Sequence, residues 1–141
     1  MHKFDFNDSA IIKRVVASKE LVFAFLSETP IVPGHTLICP KRLVSESKSL
    51  TQQEWMEILD LKEMVCSKLR KHLDAKGFNF AWNENILAGQ SVPHFHLHIV
   101  PRKENDCGIT QYEPRVFLYR PGTRATSPEE ELSSLAYLLQ N

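Results

Sequence analysis

The chain has 141 residues, enough for one compact domain with its own core. Lysine plus arginine equals aspartate plus glutamate, 17 of each; the zero net charge argues against a broad polyanion-binding surface but allows a local phosphate pocket. No apolar run reaches the ~20 residues that a bilayer-crossing helix needs, and "MHKFDFNDSA" lacks an apolar signal core. A cytoplasmic protein engaging neither nucleic acid nor membrane is expected.

Repeats, low-complexity tracts and Gly/Ser linkers are missing from the sequence, so residues 1–141 read as a single domain. "IIKRVVASKELVFAFLS" mixes β-branched and aromatic residues around a polar break at Ser18 to Glu20, which predicts two strands. "PIVPG" reads as a turn and "HTLICP" as a third strand closed by Pro40. In the stretch from Thr51 to Gly77, Thr51 and Glu54 form a capping box. Trp55, Ile58, Leu59, Lys62, Val65, Cys66 and Leu69 then follow helical spacing, with Gly77 placed to stop the chain. His72, in the last turn, suits the helix dipole or faces solvent. "GFNFAWN" alternates, with Phe78, Phe80 and Trp82 on one side and Asn79, Ala81 and Asn83 on the other. "ENILAGQS" is a loop, "PHFHLHIV" a strand, and "RVFLYR" a further short strand. A C-terminal helix follows, with Ser127 as N-cap, Pro128 at the first helical position and Glu130 completing a second capping box. Runs of strands with two helices predict an α+β domain with a mostly antiparallel sheet.

The informative stretch is "GQSVPHFHLHIVPR", which puts three of the six histidines at alternate positions: His94, His96 and His98. On a strand these share one face, ~6–7 Å apart, while Phe95, Leu97 and Ile99 point into the core. Two such histidines with His35 or a carboxylate could chelate a metal ion. All three on one straight strand could not, because the outer pair would stand ~13 Å apart. The alternative is a polar site in which one imidazole attacks phosphorus and its neighbours orient it or donate protons. Gly89 lets the backbone approach closely, and Gln90 and Ser91 offer neutral donors to phosphoryl oxygens. Cys39, Cys66 and Cys107 include no CxxC pair and read as reduced thiols without a role.

"HFHLHIV" matches the alternating histidine pattern of the histidine triad proteins. The resemblance extends through "PIVPGHTLICPKR", the long helix, "FNFAWNEN" and the C-terminal helix. Among these proteins the chain most resembles the fragile histidine triad branch, the dinucleoside polyphosphate hydrolases, through "PGHTLICP" and "VPRK". The resemblance implies a five-stranded antiparallel sheet with one long helix and a C-terminal helix, and a homodimer whose sheets run together. It also implies attack at the α-phosphate of substrates such as diadenosine tri- or tetraphosphate. His96 would be the nucleophile and form a nucleotidyl-histidine. His98 would donate to phosphate, His94 would hold the geometry, and His35 would support them from a neighbouring strand. Gln90 and Ser91 would contact phosphate or leaving group.

Two positions depart from that branch. Ser27 stands where an asparagine lies near the ribose, and Asn83 stands where the hydrolases carry glutamine. Phe4 and Phe6 read as core or as a base sandwich. Arg102 and Lys103 read as solvated strand-end charges, and Tyr112 as a residue of the leaving-group region. No cofactor is required by the sequence and no resident metal is assigned; a magnesium ion accompanying the substrate stays open. Two alternatives stand beside the hydrolase: a nucleoside phosphoramidase using the same histidines, and a nucleotide-binding module with vestigial catalysis.

Overall fold

The computed structural model describes residues 3–106 and 125–141. Five strands form one antiparallel sheet: β1 (Val15–Ser18), β2 (Val22–Leu26), β3 (Thr36–Pro40), β4 (Gly77–Ala81) and β5 (Leu97–Arg102), in the order β1-β2-β3-β5-β4. Among the described residues three α-helices accompany it: the short α1 (Ser9–Ile12), the long α2 (Gln52–Leu73) and α3 (Glu129–Leu139). The α+β expectation holds. "RVFLYR", Tyr112 and Cys107 lie outside the described residues.

Alternation along the strands divides the core in two. Val22, Ala24 and Leu26 of β2, Ile38 of β3, and Leu97 and Ile99 of β5 face α2 and α3. Phe23, Phe25, Leu37 and Cys39 face the other way, where Phe4 and Ile11 of the N-terminal segment cover them. The histidines belong to this second face, because Leu37 pairs with His98 and also with Phe25.

The helix start follows the sequence closely. The Thr51 hydroxyl accepts from Glu54 N at 3.1 Å, and the Glu54 carboxylate accepts from Thr51 N at 2.8 Å. Its buried stripe departs from the expected one: Leu61, not Leu59, lies in the core with Ile58, Val65, Cys66 and Leu69, while Trp55 and Lys62 are half-buried. Both leucines suit the apolar period, and Leu61 is the one that packs in the cluster with the sheet, while Leu59 stays exposed.

Four other expectations are corrected. Ile11 and Ile12 form the end of α1, capped by the Asp8 carboxylate accepting from Ala10 N, rather than the start of a strand. The left-handed residue ending α2 is Asp74 (φ 56°), whose N–H reaches Leu69 O; Gly77 instead opens β4. β5 begins at Leu97, so His94, at a bend, and His96 precede the strand, and the pairing with β3 starts only at Leu97. Pro128, not Ser127, occupies the cap of α3, and with no side-chain oxygen it caps nothing; Ser127 N–H instead donates to Glu28 O at 2.8 Å.

Candidate active site

Each triad ring is held in one tautomer by partners of fixed character. Phe4 N–H donates to His94 Nδ1 at 2.9 Å, so the His94 proton sits on Nε2 and is given to Pro40 O at 2.7 Å. His96 Nδ1 lies 2.7 Å from His94 O, and a carbonyl only accepts, so Nδ1 carries the proton. Its Nε2 is left with a lone pair that no described residue engages. Ile31 N–H donates to His35 Nδ1 at 3.1 Å, which puts the His35 proton on Nε2. That proton is donated to His98 Nδ1 at 2.9 Å, leaving His98 with N–H at Nε2. The result is a lone pair on His96 beside an N–H on His98, the two rings 4.9 Å apart.

Burial separates the histidines further. His94 and His96 are both held below the ordinary imidazole value of 6.5, chiefly because burial disfavours their charged forms. His96 therefore stays neutral to lower pH than a solvated histidine. The acid limb of any activity that needs its lone pair is expected below pH 6.5, as a rate–pH profile would show. The sign for stability follows: the depressed folded value contributes stability above the ordinary value, and that stability is lost as pH falls through the folded one.

The His96 and His98 rings open on a cavity of about 150 Å³. Its apolar wall is Phe4, Leu37 and Val92; its polar wall is Arg14, Ser27, Glu28, Thr29 and Ser91. Ser27 and Ser91 thus join the histidines. The Ser27 hydroxyl accepts from Thr29 N at 3.2 Å.

Gln90 and Asn83 stand elsewhere. Gln90 is buried, its Oε1 accepting from Asn85 N at 2.8 Å and its Nε2 donating to Ser45 O at 2.9 Å. The Asn83 side chain donates to Gly89 O at 3.4 Å. Both brace the loop that carries Ser91, whose 3₁₀ turn Ile86–Ala88 closes on Gly89 at φ 94°.

Phe4 and Phe6 are part of the second core: Phe4 packs edge-on against His96 at 5.2 Å and against Phe25 at 5.1 Å, and Phe6 against Phe23 at 5.0 Å. Arg102 is mostly buried and pairs with Asp106 at 2.9 Å, so it is not a solvated strand-end charge. Among the described residues no group of three or more His, Cys, Asp or Glu is placed to hold a metal ion.

Sequence reading missed three participants. Phe4 N–H and Pro40 O fix His94 through their backbones, which no residue-type pattern reports. Arg14 is buried at 5% exposure, donating from Nε to Ala10 O at 3.1 Å and from Nη1 to Leu26 O at 2.6 Å. Burial holds its guanidinium below the ordinary value, opposed by Glu28, Asp8 and Glu129. Its only signal was a cation inside the apolar run "IIKRVV".

A five-stranded antiparallel sheet that centres a tautomer-fixed imidazole cluster defines a domain built to present a nitrogen lone pair to a bound group. The chain belongs to the histidine triad family, whose HIT domain matches residues 9–105. Over 87 residues, 62% of this chain and 58% of the relative, it is 40% identical to a bis(5'-adenosyl)-triphosphatase of Dictyostelium discoideum. It is 35% identical over 101 residues, 72% of this chain, to an asymmetrical bis(5'-nucleosyl)-tetraphosphatase of Schizosaccharomyces pombe, matching 56% of its length. The chain thus spans somewhat over half the length of these relatives. The crystal structure of the C. elegans NitFhit protein superposes with a TM-score of 0.73 at 25% identity, covering 92% of this chain and 27% of that one.

Proposed function

We propose that this protein hydrolyses dinucleoside polyphosphates at the α-phosphorus through a nucleotidyl-histidine at His96. One observation carries the reading: the His94 carbonyl takes the Nδ1 proton of His96 and leaves the Nε2 lone pair at the cavity. The names of the relatives, a triphosphatase and a tetraphosphatase of this type, support the substrate class.

In the first step Nε2 bonds to the α-phosphorus and the bond to the leaving phosphate oxygen breaks, that oxygen keeping the electron pair. The ring then carries positive charge, which the His94 carbonyl offsets through the Nδ1 proton. His98 N–H serves the phosphoryl oxygens or the departing one, and Ser91, on the wall of the same cavity, serves the same group. Water then attacks phosphorus, the P–N bond breaks, and the neutral His96 returns. Gln90 acts here by holding the Ser91 loop through Asn85 and Ser45, rather than by touching substrate.

Purified protein incubated with diadenosine triphosphate, diadenosine tetraphosphate and adenosine phosphoramidate tests the reading by product chromatography. Cleavage of either dinucleotide to AMP and a second nucleotide is expected. Turnover of the phosphoramidate alone would replace the hydrolase by the phosphoramidase.

The same reading includes a homodimer joined at β4. β4 is an outer strand, and Phe80 within it and Trp82 just after it remain 42% and 41% exposed, with Met56 and Leu59 on α2 at 59% and 55%. Light scattering should give twice the chain mass for wild type and a shift to monomer for Phe80→Glu; a wild-type monomer would contradict the dimer. Free, buried Cys39 and Cys66 suit a reducing cytoplasm.

A further inference from the structure

The cavity beside His96 has a second polar end. Its place follows from the sheet: His98 pairs with Leu37, and Leu37 with Phe25, so Phe25 lies two strand spacings from His98, roughly 10 Å. Arg14 stacks over the Phe25 ring, with its guanidinium carbon 5.4 Å from the centroid. A nucleotide with its α-phosphorus at His96 and its body along this cavity puts its base, not its phosphate, at Arg14.

Two charges of opposite sign stand at this end. Arg14 has spent Nε and Nη1 on backbone carbonyls, and its Nη2 donates to no described residue. Glu28 lines the same cavity, is exposed, and forms no ion pair with Arg14 among the described residues. The carboxylate makes this a poor place for a second phosphate. A donor and an acceptor that line one cavity without pairing suit a ligand edge that presents an acceptor next to donors.

We propose that Arg14 and Glu28 form the base-reading end of the pocket and favour a 6-oxopurine such as guanine over adenine. The proposal rests on the nucleotide-binding part of the function above. Guanine offers its O6 carbonyl to the Arg14 Nη2 and its N1–H and N2 amino group to the Glu28 carboxylate. Adenine presents an amino group to the guanidinium and a ring nitrogen lone pair to the carboxylate, leaving both charges desolvated and unmatched.

Titration calorimetry with GMP and AMP on the purified protein tests this without requiring turnover. Wild type is expected to bind GMP on the order of tenfold more tightly than AMP. The ratio should fall to near one in Arg14→Met and to an intermediate value in Glu28→Gln. Should Arg14→Met fail to fold, Glu28→Gln, a change at an exposed residue, carries the comparison alone. Equal or tighter AMP binding by wild type overturns the proposal, as does an unchanged ratio in the folded variants. GMP preference without cleavage of diadenosine or diguanosine polyphosphates would retain the base reading and reject the hydrolase. No binding of either nucleotide would reject both.

Discussion

Replacing His96 with alanine should lower dinucleotide cleavage on the order of 10⁴-fold or more while the protein keeps its fold. The size follows from what the side chain supplies: the lone pair that opens the covalent route, which neither His98 nor His94 can replace. Loss of a catalytic nucleophile removes most of the rate beyond what binding and donors provide. His98 carries its proton on Nε2 toward the same cavity, and both His94 nitrogens are spent on Phe4 N and Pro40 O. Product chromatography under single-turnover conditions measures the loss, and circular dichroism checks the fold. A loss below tenfold in a folded variant would remove His96 from the role of attacker.

Gly34→Ala should destabilise the fold by about 2–4 kcal/mol. Gly34 has φ 95°, a left-handed conformation that costs any side chain, and here the space is closed as well. An added Cβ would meet Leu73 Cδ1 at 2.7 Å, Leu69 Cδ2 at 3.0 Å and Pro101 Cγ at 3.2 Å. Leu69 is fully buried, so it has little room to yield. The strain would also reach the site, because the next residue is His35, whose ring sets the tautomer of His98. Urea unfolding measures the cost. A change under ~0.5 kcal/mol, the range of ordinary surface substitutions, would show that the turn shifts to admit the methyl.

The fold was legible where a pattern is local. Thr51 and Glu54 announce the start of α2 in four residues, and Phe95, Leu97 and Ile99 announce the core side of the histidine segment by simple alternation. What failed depended on choices that local pattern leaves degenerate. Leu59 and Leu61 both fit the helix period, and only the sheet beneath α2 selects Leu61. Gly77 looked the better helix stop, yet Asp74 accepts the left-handed conformation because its N–H gains Leu69 O.

The site shows the same division. The histidines declared themselves, but what each nitrogen can do did not. His94 takes its tautomer from an N–H 90 residues away in sequence. Gln90 reads as a phosphate donor from composition, and the structure engages both ends of its amide in the loop. Arg14 drew no reading from the sequence, because what buries it is its bonds to Ala10 O of α1 and Leu26 O of β2, which no local pattern shows.

The most direct test of the central claim is stereochemical. Cleavage of a dinucleotide made chiral at its α-phosphorus, in isotopically labelled water, reports how many displacements occur at that atom. Attack by His96 followed by attack by water predicts net retention in the released nucleoside monophosphate. Net inversion would mean that water strikes the substrate directly, and it would contradict a nucleotidyl-histidine intermediate.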